Sequence, residues 1–458
     1  MRIIYLTTVF TLMLNCSLAQ VWEQSYVPDT AFWGGQGLAY QVIQTQDNGY
    51  LMAGELDLPT GAIRHYIQLI KTNSQGNEVW RKLLATTYGD VRLDRVNGIY
   101  EMPDGGFLIG GSTYYNQFGL YLVRTDAVGD TIWRKVHDTF GIQNLTAFSK
   151  TTTDEFLSLG RSDSTLLLFR TDTSGNLTLQ KNLDDYFSPY DIAEMPNGDY
   201  LIVGTRNGVL HTVRTDTQGD TLWTKDYFYS TGDAATAVQP LPNGDFLVGG
   251  YRTGFTGQSA TMARYDGSGN EVWQTILGNI VSTDARVSDM VLDAAGNCLA
   301  TGSVTENLWT ATNGGFVAAV TLSGQMLWMD TLSVAINAGG ASIISPFGNC
   351  YIVAGGSPQG YYLKSDCGTT TTFSNSKFDF DIKIAPNPAT DFTQITIENG
   401  QLQSLHLKLF DETGRVVRAV NIGKEYRLEC HDLPAGIYYL GVFNKNQLIG
   451  NGKVLIEK

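Results

Sequence analysis

Helical periodicity is what this chain most conspicuously lacks: across its 458 residues no long window shows apolar residues recurring every 3.6 positions. That absence excludes helix bundles and α/β architectures and leaves an all-β reading. Proline is scarce, with 12 residues against 50 glycines, which sets the chain apart from Pro-rich disordered segments. The 23 Tyr and 8 Trp suit short aromatic-bearing strands joined by tight glycine turns.

Basic residues are in deficit. Lys and Arg total 31 against 45 acids, giving a formal net charge of -14. Phosphate-backbone binding rests on clustered cations, so nucleic acid is excluded as an expected partner. The acids form no run of five or more, so they read as a solvated surface. After the first twenty residues no stretch reaches 18 consecutive apolar residues, so no transmembrane segment is expected in the mature chain.

The opening MRIIYLTTVFTLMLNCSLAQ places Arg2 before an apolar run from Ile3 to Leu14, then Ser17 and Ala19 at the -3 and -1 positions of a cleavage site. Residues 1–19 are therefore expected to be a signal peptide, with Gln20 first in the mature chain. A lipoprotein reading would use Cys16, but Asn15 is a poor residue before a lipidated cysteine. Cleavage leaves four cysteines, Cys298, Cys350, Cys367 and Cys430, too widely spaced for a zinc-binding CxxC pair.

Catalytic signatures are missing as well. HExxH, GxSxG, a strand-linked GxGxxG, a P-loop and an EF-hand are all absent, and His65, His137, His211, His406 and His431 are scattered. Asp-rich turns such as Asp216 to Asp220 lack the ligand alternation of a calcium loop and follow from turn preference. No residue is assigned a catalytic, cofactor-binding or metal-ligating role, and no cofactor is expected.

What is present is a repeat. Its clearest copy runs from Tyr100 to Val136, YEMPDGGFLIGGST followed by LYLVRTDAVGDTIWRKV, and reads as two hairpins. The first turns at Asp104-Gly105-Gly106, where glycine accepts positive φ; the second turns at Asp126 to Gly129 as a short loop with a bulge. Six full copies and a seventh truncated after its third strand occupy the chain to Cys367. The fourth strands are anchored by Trp80, Trp133, Leu179, Trp223, Trp273 and Trp328, at spacings of 53, 46, 44, 50 and 55. Four-stranded units at this period are the sign of propeller blades.

The mature N-terminus, QVWEQSYV, matches the NEVWRKLL and NEVWQTIL fourth strands and puts Trp22 in the anchor position. The expected fold for 20–367 is thus a seven-bladed β-propeller whose N-terminal strand completes the last blade and removes an open sheet edge. The anchor indoles are expected to fill the wedge between adjacent blades. Lys71, Arg124, Arg170, Arg214, Arg264, Val320 and Lys364 close the third strands, a near-complete cationic ring. It reads either as a binding ring or as surface pairs with turn acids such as Asp126, Asp172, Asp216 and Asp266, and the second reading is preferred. Facing strand ends bring Cys350 opposite Cys367; the other outcomes are an adjacent-blade pair of Cys298 with Cys350, or free thiols.

The DxxGxxxW pattern, as in Asp126 to Trp133, resembles the tryptophan-docking motif of quinoprotein propellers, but no calcium-binding carboxylate cluster accompanies it. The strings at Asp29, Asp130, Asp220 and Asp330 (DTA, DTI, DTL, DTL) resemble an O-glycosylation acceptor, although those at Asp130 and Asp220 coincide with the repeat's own turn.

A Thr/Ser-rich linker at 368–377 precedes seven short strands between Phe378 and Lys458, expected as a small immunoglobulin-like β-sandwich. This segment carries APNP at Ala385 to Pro388, LFDETGRVV at Leu409 to Val417, LPAGIYYLGV at Leu433 to Val442 and a closing GKVLIEK. Together these resemble the type A C-terminal sorting domain of the type IX secretion system of Bacteroidota. The resemblance implies passage through the type IX machinery, removal of the tail near the linker, and release or surface attachment through a lipopolysaccharide. Two functions follow for the propeller: a secreted or cell-surface binding scaffold for a polysaccharide or protein, or a carbohydrate-active hydrolase or lyase using carboxylates on the central loops.

Overall fold

A computed structural model describes residues 22–367 and 381–457, except short stretches at 27–36, 60–62, 85–91, 94, 116, 139–143, 162–165, 184–186, 230–231, 255–256, 278–283, 308–311, 333–341, 347–349, 358–359, 399–404, 411–415 and 445–446. The expected signal peptide with Cys16, the string at Asp29, the expected linker and the turn at Glu412 to Gly414 lie outside the described residues. Every described element is a strand, and the chain divides into two compact units between Thr370 and Thr371.

The first unit contains seven sheets of four antiparallel strands, one of which carries the short strand Arg92–Leu93 as a fifth, paired in parallel with Ile63–Thr72. Six are sequence-local, for example Arg95–Glu101, Phe107–Tyr115, Gln117–Thr125 and Thr131–Asp138. The seventh is not. Its strands Ser342–Ile344, Cys350–Ser357 and Gly360–Cys367 are completed by Trp22–Tyr26, which pairs antiparallel with the last of them from Trp22↔Ser365 to Tyr26↔Tyr361. Seven apolar clusters follow the same circuit, each joining one sheet to the next. The cluster of Tyr26, Val42, Tyr50, Met52, Ile352 and Leu363 joins the seventh to the first. Among the described residues each sheet thus shares a buried cluster with the next.

The anchor tryptophans show why the repeat has its spelling. In the turn before each fourth strand a glycine sits at positive φ, and the indole of the preceding blade lies against it. Trp22 covers Gly76, Trp80 covers Gly129, Trp133 covers Gly175, Trp223 covers Gly269 and Trp273 covers Gly324. A Cβ at Gly129 would stand 2.8 Å from the Trp80 ring, so glycine is required there both by conformation and by contact. Where the anchor is Leu179, Gly219 is covered instead by Lys181 and Leu168. The indoles are wedge packing, as the sequence predicts.

The cations closing the third strands are paired, but with different acids from those expected. Lys71 reaches Asp47 at 2.8 Å, Arg170 Glu155 at 3.3 Å, Arg214 Asp199 at 3.0 Å and Arg264 Asp245 at 2.6 Å; Arg124 binds Asp104. These acids belong to the first hairpin turn. The end of the third strand lies beside the start of the second, as in Thr125↔Phe107, and so beside that turn. Asp126, Asp216 and Asp266 instead cap their own loops, Asp126 Oδ1 accepting from the amides of Val128 and Asp130. The arginines also cross between blades, with Nη1 of Arg170, Arg214 and Arg264 donating to the carbonyls of Thr217, Gly267 and Leu322. Lys364 pairs backwards with Asp330 of the sixth blade at 3.6 Å.

Cys350 stands opposite Cys367 in the ladder and is disulfide-bonded, while Cys298 and Cys430 are free and buried. The adjacent-blade pairing of Cys298 with Cys350 is thereby excluded. Non-reducing peptide mapping is expected to recover Cys350 and Cys367 in one linked species; two alkylated thiols would contradict it.

The second unit has a three-stranded sheet (Asp381–Ala385, Phe392–Glu398, Glu425–Glu429) and a four-stranded sheet (Val416–Ile422, Leu405–Phe410, Gly436–Asn444, Gln447–Ile456) around a core of its own. The APNP turn is tied to the closing strand, since Asn387 Oδ1 accepts from the Leu455 amide at 2.8 Å and Ala389 exchanges backbone bonds with Leu455 and Glu457. Cys430 is a buried core thiol here, pushed up in pKa by that burial.

Candidate functional site

The innermost strands of the first six blades surround a cavity of about 480 Å³. Each of these strands carries a β-bulge at the same place, which leaves Tyr40, Asn97, Thr146, Tyr190, Thr236 and Ser288 as the extra residue. A bulge re-aims a side chain out of the pleat, and all six of these residues line the cavity. The bulge also changes the apolar period. The buried residues flanking it are three apart, Ala39 and Val42, Val96 and Ile99, Leu145 and Phe148, Ala235 and Val238, Val287 and Met290. An unbulged strand would space them by two.

The bulge shifts the chain out of register with its neighbour, and polar side chains bridge the blades there. Asn97 Nδ2 donates to the Leu145 carbonyl at 3.2 Å, and Thr236 Oγ1 to the Val287 carbonyl at 2.6 Å. One residue further along, Asp191 Oδ2 accepts from the Val238 amide of the next blade at 2.9 Å, and Asp289 Oδ2 from the Ile343 amide at 2.9 Å and Ser342 Oγ at 2.9 Å. In the seventh blade Ser342 makes a contact of the same kind, accepting from the Val42 amide of the first at 3.4 Å. The second oxygen of each aspartate accepts from the following amide, Ile192 or Met290.

Asp191 and Asp289 are the chemically unusual groups of this cavity. They lie deep in the protein, with part of each side chain facing the lumen, and none of the lining residues is Lys, Arg or His. Desolvation pushes Asp191 up to about 7, aided by the charge of Asp289, and pushes Asp289 up to about 6. Tyr100, also in the lining, is pushed up to about 12 by burial and by both aspartates. Each aspartate therefore holds its proton more tightly folded than unfolded, where its pKa is near 4. Their contribution to stability is full below that value and is lost as pH rises through about 6 and about 7. At about 1.4 kcal/mol per pKa unit, discounted for the water in the lumen, we expect the pair to account for about 2–3 kcal/mol between pH 4 and 8. Melting of the wild type should fall across this window relative to an Asp191→Ser/Asp289→Ser variant, built on the geometry of Ser342; parallel curves would contradict it.

Other titratable groups do not converge. His211 is fully buried, its Nδ1 2.7 Å from Asp226, which also binds Arg206 at 2.5 Å; His137 meets the Gly175 carbonyl and His406 meets Asn421. Asp130 and Asp220, in the glycosylation-like strings, pair with Lys82 and Lys181 of the preceding blades, both at 2.6 Å. Among the described residues no group of three or more His, Cys, Asp or Glu is placed to hold a metal, and no helix is long and apolar enough to cross a membrane.

Comparison with known proteins agrees with this division of the chain. Residues 383–457 match the secretion system C-terminal sorting domain. No curated protein is significantly similar in sequence. Among solved structures, a virginiamycin B lyase from Staphylococcus aureus is 10% identical with a TM-score of 0.50, covering 76% of this chain and 98% of its own; this likeness concerns fold alone. The Pan2 WD40 domain of Neurospora crassa (11% identity, TM-score 0.49, 74% and 92% coverage) and a protein of unknown function from Bacteroides caccae (11%, 0.44, 67% and 98%) are also similar. The chain is thus a secreted all-β protein of propeller fold, carrying at its C-terminus a sorting domain of the type IX secretion family that directs it to the cell surface or beyond.

Proposed function

We propose that the propeller is an extracellular binding module whose ligand site is the central cavity. The observation that carries this reading is the lining itself: six bulges at one register position turn six polar or aromatic side chains toward one lumen. Bulges interrupt pairing and cost ladder hydrogen bonds, so their repetition at the axis favours a presented surface over mere packing. The second reading, a hydrolase or lyase working with Asp191 and Asp289, is less well supported. Both oxygens of each carboxylate already accept backbone amides, and the two share one kind of environment rather than the divided acid and base roles such chemistry needs.

The test is a thermal-shift screen of the full secreted chain against oligosaccharides, peptides and small charged metabolites, run beside a Thr146→Trp variant that fills the lumen. A saturable ligand that protects the wild type and not the variant, with no product formed on prolonged incubation, is the expected result. Turnover abolished in Asp191→Asn or Asp289→Asn would establish the enzymatic reading instead.

A further inference from the structure

The lining of the cavity carries two aspartates and no Lys, Arg or His. Asp191 and Asp289 have no cationic partner among the described residues, and each oxygen keeps a second lone pair beyond its amide bond. Asn97 Oδ1 and Thr146 Oγ1, on two other blades of the same lining, have no hydrogen-bond partner among the described residues. Three tyrosines, Tyr40, Tyr100 and Tyr190, stand in the same wall, and Tyr190 is 43% exposed. Buried carboxylates without counter-ions are costly unless something neutralises them, and the faces of aromatic rings favour cations.

Building on the binding reading above, we propose that the cavity takes a small organic cation, an alkylammonium or guanidinium group, held between Asp191 and Asp289 against the tyrosine rings. A metal ion fits less well, because no cluster of three ligating side chains exists among the described residues. A volume of about 480 Å³ falls within the range of small-molecule sites. The cation supplies the charge that the lining lacks and donates to its surplus acceptors.

Protons compete with this ligand. The titratable groups facing the two aspartates are each other, Tyr40, Tyr100 and Tyr190, with Cys298 behind Asp289 and Asp293 beyond Cys298. Asp191 and Asp289, pushed up to about 7 and about 6, lose their protons between pH 5 and 8, so binding of a permanent cation must release protons in that range.

The experiment is calorimetry of the full chain with agmatine and with n-butylammonium, at pH 5 and pH 8, using n-butanol as the neutral control. We expect Kd at least tenfold lower at pH 8, net proton release seen as a buffer-dependent heat, no binding of butanol, and loss of binding in Asp191→Ser/Asp289→Ser, whose fold is checked by its melting curve. Binding that ignores pH or survives in that variant would overturn the proposal. Absence of cation binding would overturn it too, and the screen then separates two cases. If a neutral oligosaccharide protects the wild type but not Thr146→Trp, the binding reading stands without the cation; if nothing does, both fall.

Discussion

A chain that begins at Phe32 is expected to melt about 5–10 °C lower than the mature protein while still unfolding in one transition. The deletion removes Trp22–Tyr26, the outer strand of the seventh blade, and with it five paired positions. It also strips the wedge between the seventh and first blades, where Trp22 covers Gly76, Tyr26 is buried and the Tyr26 hydroxyl donates to the Gly76 carbonyl at 2.5 Å. Loss of a buried aromatic costs about 3–5 kcal/mol, and for a unit of this size each kcal/mol lowers Tm by about 1–2 °C. The effect exceeds a local fraying because blades are stabilised by their neighbours, so one broken interface weakens the whole circuit. Trp22→Ala in the mature protein is expected to reproduce about half of the loss. An unchanged Tm in the truncated chain would mean that the ring does not close through this strand.

The propeller is legible in the sequence because the residues that define a blade each answer a separate local demand. Gly129 must take positive φ and lie under an indole, Trp80 must fill the wedge beside it, and Asp126 must cap the loop, so the triplet survives where the rest of the repeat drifts. The seventh blade is legible for the same reason, since Trp22 carries the anchor signature in a strand far from its sheet. The partners of the arginines are harder to read. Both hairpin turns lie at one end of a blade, and sequence distance favours Asp126 over Asp104 for Arg124 although strand register favours the reverse.

The cavity is almost invisible in sequence. Asp191 and Asp289 belong to the fourth and sixth blades and become a pair only when the ring brings the inner strands to one axis. The bulges do leave a trace, the step of three between buried residues such as Val96 and Ile99, but a single such step looks like an irregular strand. Only its recurrence in six aligned blades identifies it. The tail is the opposite case: the APNP turn and the closing strand are distant in sequence yet joined through Asn387 and Leu455, so their shared presence reports one folded unit.

The central claim is that this is an exported propeller whose tail is its passport, and deletion of Phe378 to Lys458 tests it most directly. The tail has its own core, formed by residues such as Ile395, Leu407, Leu440 and Val454, and the seven wedge clusters of the propeller lie wholly before it in the chain. Removing it is therefore expected to leave the blades folded, with an unchanged melting transition, and to change only destination. Cell fractionation should find the shortened protein in the periplasm, soluble and protease-resistant, with the surface and medium depleted at least tenfold relative to the full chain. Undiminished delivery to the surface or medium without the tail would contradict the account.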